Sequence, residues 1–544
     1  MVITDFLVEN ARRYGEETCL VEINPELQNG HAESWKDFAL VEADPEEAYR
    51  REMTWSDFDR RANRFAHLLL ANGVRKGDKV AVLLMNCLEW LPIYFGILKT
   101  GALAVPLNYR YTAEEIKYCL ELSDSCVLVY GKEFLGRVDS IKDELPGIEK
   151  FYYVGTECPS FAVSYYKFMM YCSSRDPEIK LTPEDDAAIY FSSGTTGFPK
   201  AILHKHEGLV HSCLVEQNHH SQERGDCFLC MPPLYHTGAK MHWFGSLVSG
   251  SSAVLLRGIS PKWILETVSK EKVSIVWLLV PWAQDILDAI ESGEVCLDDY
   301  NLDKWRLMHI GAQPVPPSLI ERWKKYFPNH QYDTNYGLSE SLGPGCVHLG
   351  VENFGHVGAI GVPGFGWEVK IVDAEGAQVK SGDVGELAVK GVGVMTCYYK
   401  DEEATRAVLR DGWLFTGDMA MENSEGFIYL VDRKKDVIIT GGENIYPVQI
   451  EDFLRSNDMV KDVAVIGRPH PRLGEIAAAV IEMKPGADCE VGDIERFCEA
   501  LPRYKRPREI IFDDIPRNPT GKIEKNKLRE KYGSLGIVAQ QTGQ

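Results

Sequence analysis

The stretch Tyr190-Phe-Ser-Ser-Gly-Thr-Thr-Gly-Phe-Pro-Lys200 decides the fold, because it joins an apolar run, Ala187 to Tyr190, to a loop of glycines and hydroxyl residues. The glycines allow backbone angles that other residues avoid, so successive N–H groups can point into one concavity that suits phosphate oxygens. Lys200 adds a point charge for the same oxygens. Pro199 separates the last glycine from the lysine, which departs from the Walker pattern and disfavours a kinase or GTPase. The predicted phosphate-binding residues are Ser192, Ser193, Gly194, Thr195, Thr196, Gly197 and Lys200.

Length and charge indicate an enzyme-sized protein that does not favour polyanions. A chain of 544 residues is expected to form roughly three to four structural units. Lys and Arg total 59 against 80 Asp and Glu, and the formal charge of -21 opposes binding to nucleic acid or to anionic membranes. No apolar run reaches the roughly eighteen residues of a membrane span, and residues 1–16 are unlike a signal peptide. The sequence therefore predicts a cytoplasmic protein.

The cysteines indicate free thiols rather than a disulfide framework or a metal site. Fourteen of them are scattered through the chain, whereas disulfide scaffolds are short and cysteine-dense. Cys227-Phe-Leu-Cys230 is a lone CxxC with no second pair at zinc spacing, so we expect it to lie buried in a strand or at its end.

The fold class predicted from hydrophobic periodicity is α/β. An amphipathic pattern over residues 57–72 predicts a helix, and apolar runs at 79–85, 253–256, 273–280 and 306–310 predict buried strands separated by helix-length stretches. This alternation favours largely parallel layers. Polar, acidic residues 24–52 do not fit it and are interpreted as a solvated surface insertion.

The predicted domain organisation is one large domain of layered α/β sheets, with several subdomains, followed by a small, mobile α+β domain. The large domain is expected to span 1–432. The basic run at 433–436 is the predicted hinge. Strand-like and helical runs follow over 437–544, which makes a C-terminal cap of about a hundred residues.

A second motif, Asn335-Tyr-Gly-Leu-Ser-Glu340, offers an aromatic ring, a hydroxyl and a carboxylate suited to Mg²⁺. Together with the phosphate loop it resembles the adenylate-forming superfamily: acyl-CoA synthetases, firefly-type luciferases and peptide-synthetase adenylation domains. The resemblance covers nearly the whole chain and departs mainly at 24–52. It implies that ATP is bound by the phosphate loop, with Thr195 also counted as catalytic, and that Glu340 is a catalytic residue and the Mg²⁺ ligand. The further nucleotide contacts that it implies are Gly311, Ala312, Gln313, Pro314, Thr334, Asn335, Tyr336, Gly337, Ser339, Asp418 and Arg433.

The resemblance also assigns roles to the cap. The turn Asn518-Pro-Thr-Gly-Lys-Ile523 matches the segment whose lysine, here Lys522, bridges the carboxylate and the α-phosphate during adenylation. Lys435 matches the pivot about which the cap rotates, so that the two half-reactions use two orientations. The residues implied to bind CoA after that rotation are Gly441, Gly442, Glu443, Tyr504 and Arg506.

The acyl pocket is placed by the resemblance around Pro232-Pro-Leu-Tyr-His236 and the following helix. Its predicted lining is His236, Ala239, Lys240, Trp243, Trp282 and Gly337, with His236 as a gate to the CoA site and counted among the catalytic residues. The bulky rings of Trp243 and Trp282, if they face the pocket, favour a compact medium-chain, alicyclic or aromatic acid over a long fatty acyl chain. The alternative is that either tryptophan belongs to the core. Lys240 meets either a second carboxylate or solvent.

The function that these features imply is an AMP-forming acyl-CoA synthetase that uses ATP, Mg²⁺ and CoA on a small carboxylic acid. Nucleic acid and a membrane span are not expected, and a homodimer is left open. Three alternatives stay open: an acyl-AMP ligase that loads a carrier protein, a luciferase-like oxygenase, and, remotely, a nucleotide-binding scaffold without catalysis.

Overall fold

The computed structural model describes residues 1–27, 32–34, 48–192, 199–311, 315–440, 443–517 and 523–533. The strands are β1 Thr18–Ile23, β2 Ala32–Ser34, β3 Arg50–Thr54, β4 Lys79–Leu83, β5 Leu103–Pro106, β6 Ser125–Gly131, β7 Lys150–Val154, β8 Val163–Ser164, β9 Asp186–Phe191, β10 Ala201–Lys205, β11 Cys227–Cys230, β12 Ser252–Leu256, β13 Ile275–Leu279, β14 Leu307–Gly311, β15 Gln331–Asp333, β16 Asn335–Leu338, β17 Gly343–His348, β18 Val362–Pro363, β19 Trp367–Val372, β20 Val384–Gly391, β21 Cys397–Tyr398, β22 Leu409–Arg410, β23 Trp413–Glu422, β24 Ile428–Arg433, β25 Ile438–Thr440, β26 Glu443–Ile445, β27 Val460–His470, β28 Gly474–Met483 and β29 Glu509–Phe512. The α-helices are α1 Ile3–Tyr14, α2 Trp55–Ala71, α3 Trp90–Lys99, α4 Ala113–Leu122, α5 Leu135–Ile141, α6 Tyr165–Met169, α7 His206–His219, α8 Thr237–Ser249, α9 Pro261–Glu271, α10 Val280–Glu291, α11 Pro317–Tyr326, α12 Glu402–Val408, α13 Pro447–Arg455, α14 Val491–Phe497 and α15 Lys525–Tyr532.

Two eight-stranded sheets form the bulk of the N-terminal part. Their strand orders are β15-β14-β13-β11-β12-β1-β3-β2 and β21-β10-β9-β5-β4-β6-β7-β8. Parallel pairs prevail in both, for example β13 with β14 and β4 with β5, and antiparallel pairs occur where β3 joins β1 and where β10 joins β9. The prediction of an α/β fold with largely parallel layers is confirmed.

The two sheets stack with helices between them and on their outer faces. In β13, Trp277 belongs to the core between the sheets, whereas its neighbours Val276 and Leu278 belong to the core beneath α9, α10 and α11. This alternation follows from the two-residue period of a strand, and both faces are apolar because helices cover both. α2, α3 and α8 fill the central layer, and α4 and α5 cover the far face of the second sheet.

A further antiparallel sheet was not predicted. It runs β19-β20-β23-β22, with β24 beside β23, and a three-stranded sheet of β16, β17 and β18 lies next to it in sequence. Alternate residues of β20 and β23 are only half-buried, so neither strand forms a long apolar run. A search for the continuous apolar runs of buried parallel strands therefore does not detect β20 and β23.

The C-terminal part forms its own sheet, in the order β26-β25-β28-β27 with β29 beside β28. Ile450 of α13 and Ile494 of α14 are buried on one face, and Leu528 of α15 is buried on the other. The predicted strands and helices of this α+β unit are present. The hinge at 433–436 stays a prediction, and it falls between β24 and β25.

The prediction that segment 24–52 is a solvated surface insertion is wrong for its last residues. Residues 28–31 and 35–47 lie outside the described residues, but Arg50–Thr54 form β3, which pairs along β1 with Ile23 opposite Arg50. Arg51 is 2% exposed and bonds the carboxylates of Glu22 and Glu89, which are also buried. Its charge is thus part of the core rather than a solvated group.

Cys227 and Cys230 are buried in β11, as predicted, and each of the fourteen cysteines is a free thiol. Within the part of the chain that the structure describes, every helix is too short or too polar to cross a membrane.

Candidate active site

The phosphate loop begins and ends on two paired strands. β9 and β10 are antiparallel, with Phe191 opposite Ala201, so the chain leaves and re-enters the sheet at one edge. The Ser192 N–H donates to the Lys200 carbonyl over 3.0 Å, and the Lys200 N–H donates to the Ser192 hydroxyl over 3.2 Å. This reciprocal pair closes the mouth of the loop. The predicted phosphate ligands between them, Ser193, Gly194, Thr195, Thr196 and Gly197, lie outside the described residues.

Tyr398 contacts one charged residue from each of the two motifs, Lys200 of the phosphate loop and Glu340 of the second motif. Its ring lies under the Lys200 ammonium, with Nζ 4.6 Å from the ring centroid. Its hydroxyl donates to Glu340 Oε1 over 2.8 Å. The lysine predicted to meet phosphate and the carboxylate predicted to hold Mg²⁺ thus share one aromatic side chain.

Sequence reasoning missed Tyr398. It lies in the two-residue strand β21, which pairs with β10 through Ile202. A tyrosine in a strand of two residues carries no sequence signal, and its partner Glu340 is 58 residues away in the chain. Burial, then the nearby Glu340 carboxylate, raises the pKa of Tyr398 well above its usual range, so the hydroxyl stays a donor.

The turn that presents Glu340 is fixed through its backbone. Ser339–Ser341 form a single 3₁₀ turn after β16. The buried ring of His204 bonds the Ser339 carbonyl through Nε2 at 2.8 Å, and the Met395 N–H donates to the Glu340 carbonyl over 2.7 Å. Because its backbone is held on both sides, the carboxylate is preorganised. Oε1 accepts from Tyr398, which leaves the other oxygen for a hard cation such as Mg²⁺.

Asp418 and Tyr336 meet at a second point. The Tyr336 hydroxyl donates to Asp418 Oδ2 over 2.5 Å, and both side chains are 7% exposed. Arg433 Nε lies 3.5 Å from Asp418 Oδ1, because the two residues are ladder partners of β23 and β24. Burial and the adjacent carboxylate raise the pKa of Tyr336. The structure therefore brings together the three side chains predicted for adenine and ribose.

Other predicted nucleotide contacts occupy the strands beside this point. Gly311 ends β14, Thr334 is buried between β15 and β16, and Asn335 donates to Glu216 Oε1 over 3.3 Å. A side chain at Gly337 would place its Cβ 1.6 Å from the Gly343 carbonyl oxygen, so only glycine fits there. Ala312, Gln313 and Pro314 lie outside the described residues.

The predicted acyl pocket begins at the N-terminus of α8. His236 is the residue before the helix, and its ring lies 4.2 Å from that of Tyr235, centroid to centroid. Lys240, one turn later, is completely buried. Its ammonium donates to the Leu234 carbonyl over 3.1 Å and lies 4.3 Å from the centroid of the Tyr190 ring. The alternative in which Lys240 meets solvent is wrong.

Aromatic rings surround the Lys240 ammonium. The rings of Trp90 and Tyr94 have centroids 5.3 Å from Nζ, and the Tyr94 and Tyr190 hydroxyls bond each other over 2.7 Å. Burial lowers the pKa of Lys240 well below its usual range, since the described side chains around it bring no carboxylate into an ion pair.

The predicted wall residues of the acyl pocket are packed in different ways. Trp243 is fully buried, and its ring packs against Phe58, Phe95 and Phe244. Trp282 in α10 is half-buried between two cores. Trp243 is therefore a core side chain in this conformation, and the roles of both tryptophans and of the buried Ala239 as pocket walls stay predictions.

The cap residues lie on the C-terminal sheet and its connections. Lys435 lies exposed between β24 and β25, and partial desolvation lowers its pKa. Tyr504 is 47% exposed, whereas Arg506 donates to the carbonyls of Leu501 and Glu499. Arg506 thus closes a loop of its own domain, and its contact with CoA stays a prediction.

The remaining predicted cap residues are Glu443, Gly441, Gly442 and Lys522. Glu443 begins β26, paired with Thr440. Gly441, Gly442 and Lys522 lie outside the described residues. Arg517 and Ile523, which flank the Lys522 segment, form an antiparallel bridge, so the chain enters and leaves that segment side by side.

One contact crosses the predicted domain boundary. Asp432 Oδ2 accepts the Val448 N–H over 3.0 Å, at the first turn of α13, while Oδ1 accepts the Arg433 N–H over 2.7 Å. A carboxylate at a helix N-terminus satisfies a backbone donor that has no partner within the helix. Burial raises the pKa of Asp432 to about 6.

Comparison with known families accounts for most of the chain. The profile of the family described as AMP-binding enzyme matches residues 29–399, and that of the AMP-binding enzyme C-terminal domain matches residues 449–522. A long-chain-fatty-acid–CoA ligase of Mycobacterium tuberculosis is 32% identical over 486 residues, covering 89% of this chain and 93% of the relative. A feruloyl-CoA synthase of an Amycolatopsis species is 31% identical, covering 88% and 94%.

Solved structures agree with this. The anthranilate CoA ligase AuaEII in complex with anthranoyl-AMP superposes with a TM-score of 0.87 at 26% identity, covering 98% of this chain and 97% of that chain. A fatty acyl CoA synthetase of Mycobacterium tuberculosis superposes with a TM-score of 0.74 at 28% identity, covering 98% of both.

Proposed function

The chain belongs to the AMP-binding enzyme family, and on that premise we propose that it is an AMP-forming acid–CoA ligase. The observation that carries the proposal is the convergence of Lys200 and Glu340 on Tyr398, beside the Tyr336–Asp418–Arg433 contact. A cation for phosphate, a carboxylate for Mg²⁺ and a polar cluster for a nucleoside are the parts that adenylation needs.

The first half-reaction is adenylation of the acid. An oxygen of the substrate carboxylate attacks the α-phosphorus of ATP, the bond to the bridging oxygen breaks, and pyrophosphate leaves. Lys200 and the loop around it hold the phosphates, and Asp418 with Arg433 binds the ribose. Glu340 would hold Mg²⁺, which would neutralise phosphate charge. Lys522 stabilises the charge that develops between carboxylate and phosphate, and such a group contributes about a hundred- to thousandfold to rate.

The second half-reaction joins the acyl group to CoA. The CoA sulfur attacks the acyl carbon of the mixed anhydride, the C–O bond to phosphate breaks, and AMP leaves. No protein nucleophile is required, because the anhydride is already activated. Rotation of the cap about Lys435 would withdraw Lys522 and bring the segment that includes Gly441 and Gly442 to the site. The Asp432–Val448 bond crosses the boundary and would break in this rotation.

The acid that we propose is compact and aromatic or alicyclic. Aromatic rings lie at the start of α8: the Tyr235 ring is tilted by 42° against the His236 ring, and a Cβ at Gly238 would lie 3.3 Å from the tip of the Trp277 ring. Flat rings at the mouth favour a flat acid over a flexible chain. Relatives named for ferulate and anthranilate agree with this choice, whereas those named for long-chain fatty acids do not.

The buried Lys240 supports a polar substituent on that acid. Its ammonium has one described acceptor, the Leu234 carbonyl, inside a box of three rings. A hydroxyl or carboxylate of a substrate that reached the box would complete its hydrogen bonding. Ring-hydroxylated or dicarboxylic aromatic acids are therefore the preferred members of the class.

The test measures pyrophosphate release with Mg-ATP across aliphatic, alicyclic and aromatic acids, each with and without CoA. We expect a single burst without CoA and steady turnover with it, fastest for substituted aromatic acids. A Lys522→Ala variant should lose about a hundred- to thousandfold of the burst rate while still binding ATP. Turnover that is indifferent to CoA would point to loading of a carrier protein, and no release with any acid would point to an inert scaffold.

The cellular compartment and the oligomeric state of the protein are also open to test. The free state of all fourteen cysteines supports a reducing compartment, for which we propose the cytoplasm. Fractionation with an antibody against the chain checks this, and sedimentation of the purified protein checks the homodimer.

A further inference from the structure

A cluster of histidines and carboxylates lies buried behind the nucleotide site. His220 follows α7, His309 is in β14, and Asp333 ends β15. All three are completely buried, and so are Glu216 and His348 beside them. The predicted adenylation chemistry uses none of these five side chains.

Three ligand atoms of this cluster form a small triangle. His220 Nε2 lies 2.9 Å from His309 Nδ1 and 3.7 Å from Asp333 Oδ2, and the latter two atoms are 3.5 Å apart. A point equidistant from atoms with these separations lies about 2.0 Å from each, which is the distance at which zinc binds nitrogen and carboxylate oxygen. The same atoms fall within the limits expected of a metal-binding group.

We propose that His220, His309 and Asp333 bind a zinc ion with a structural role. Two imidazoles and one carboxylate are a donor set that suits Zn²⁺, and each histidine presents one ring nitrogen to the common point. Glu216 Oε2, 3.7 Å from His220 Nε2, brings a second carboxylate to the site as a fourth ligand or as the partner of a bound water.

The surroundings hold the ligands in place. The Gly350 N–H donates to Asp333 Oδ1 over 2.7 Å, which leaves Oδ2 directed at the two histidines. His348 Nδ1 lies 3.3 Å from the same Oδ2. Outer hydrogen bonds of this kind orient the ligands of protein zinc sites.

The position of the site gives the ion its role. One residue separates His309 from Gly311, and one separates Asp333 from Asn335; Gly311 and Asn335 are both predicted nucleotide contacts. Asn335 also donates to Glu216. A zinc ion would therefore fasten α7, β14 and β15 directly behind the segments that hold adenine, distinct from the Mg²⁺ predicted at Glu340.

The experiment measures the metal content of the full-length protein, expressed with added zinc and passed through a chelating column. We expect about one zinc ion per chain in the wild type and less than about a tenth of that in His309→Gln. His206→Gln, which changes another buried histidine outside the cluster, should keep the full content. In the cobalt-substituted protein, visible absorption bands should be present and should be absent from His309→Gln.

Two results would overturn the proposal. One is wild-type protein that takes up no stoichiometric zinc, in which case the His220–His309 contact is a hydrogen bond only. The other is His309→Gln that retains full zinc, which would place the ion elsewhere. The wild-type measurement decides even if the variant does not fold.

Discussion

Removal of one hydroxyl tests the arrangement at Tyr398. Tyr398→Phe keeps the ring under Lys200 but removes the donor to Glu340 Oε1, which lies 2.8 Å away. A hydrogen bond to a charged group contributes about 1.5–3 kcal/mol, and partial exposure of Glu340 to solvent reduces this to about 1–2 kcal/mol. Since about 1.4 kcal/mol is tenfold in rate, we expect kcat/KM for adenylation to fall roughly 5- to 30-fold.

The assay is ATP–pyrophosphate exchange at several Mg²⁺ concentrations. If the hydroxyl positions the Mg²⁺ carboxylate, the Mg²⁺ concentration for half-maximal exchange should rise together with the loss of rate. Urea unfolding of the variant should show an intact, cooperative transition.

The neighbouring tyrosine provides a matched control. The Tyr399 hydroxyl also donates to a carboxylate, Asp124 Oδ2, over 3.1 Å, but that carboxylate belongs to no predicted site. Tyr399→Phe should leave exchange within about twofold of the wild type. The reasoning is refuted if Tyr398→Phe also stays within twofold, or if both variants lose rate to the same extent.

Three further changes test charges buried elsewhere. Arg51→Met strands the Glu22 and Glu89 carboxylates, so the free energy of unfolding in urea should fall by about 3–5 kcal/mol; a loss below about 1 kcal/mol would contradict the buried ion pair. Asp432 has a folded pKa of about 6, above the value of about 4 in an unfolded chain, so the folded state binds more protons between these values. The unfolding free energy of the wild type relative to that of Asp432→Asn should therefore rise as pH falls from about 6 to 4, and equal pH profiles would contradict the assignment. Lys240 has a lowered folded pKa, so wild-type stability relative to Lys240→Met should increase with pH over the alkaline range, and a flat difference would show that the ammonium keeps its usual pKa.

The sequence predicted best those elements that are buried on both faces. Ile275–Leu279 and Ser252–Leu256 are strands in which every or nearly every residue is buried, so a short apolar run marks each of them. α2 was predicted because its apolar face repeats with the helical period. β23, by contrast, mixes buried and half-buried residues along its length and was not predicted as a strand.

Contacts between distant residues could not be predicted in the same way. The pairing of Tyr398 with Glu340 depends on a short strand that joins β10 from about two hundred residues later in the chain. The burial of Arg51 depends on Glu89 in another layer. Tyr398 and Arg51 are polar residues, and polar residues are predicted to be solvated. Nothing in the local sequence distinguishes a buried polar side chain from an exposed one.

The ladder between β1 and β3 has a consequence for how this chain can change length. Because Ile23 lies opposite Arg50, the chain leaves β1 and returns in β3 at the same rung, after adding the edge strand β2 beside β3. Extra residues in the connections on either side of β2 change only the length of segments whose ends are held by the sheet, and each doubling of a flexible loop costs only about 0.6 kcal/mol. This connection therefore suits domain insertion, tagging and natural variation in length, because a change in its length leaves the catalytic layers unaltered.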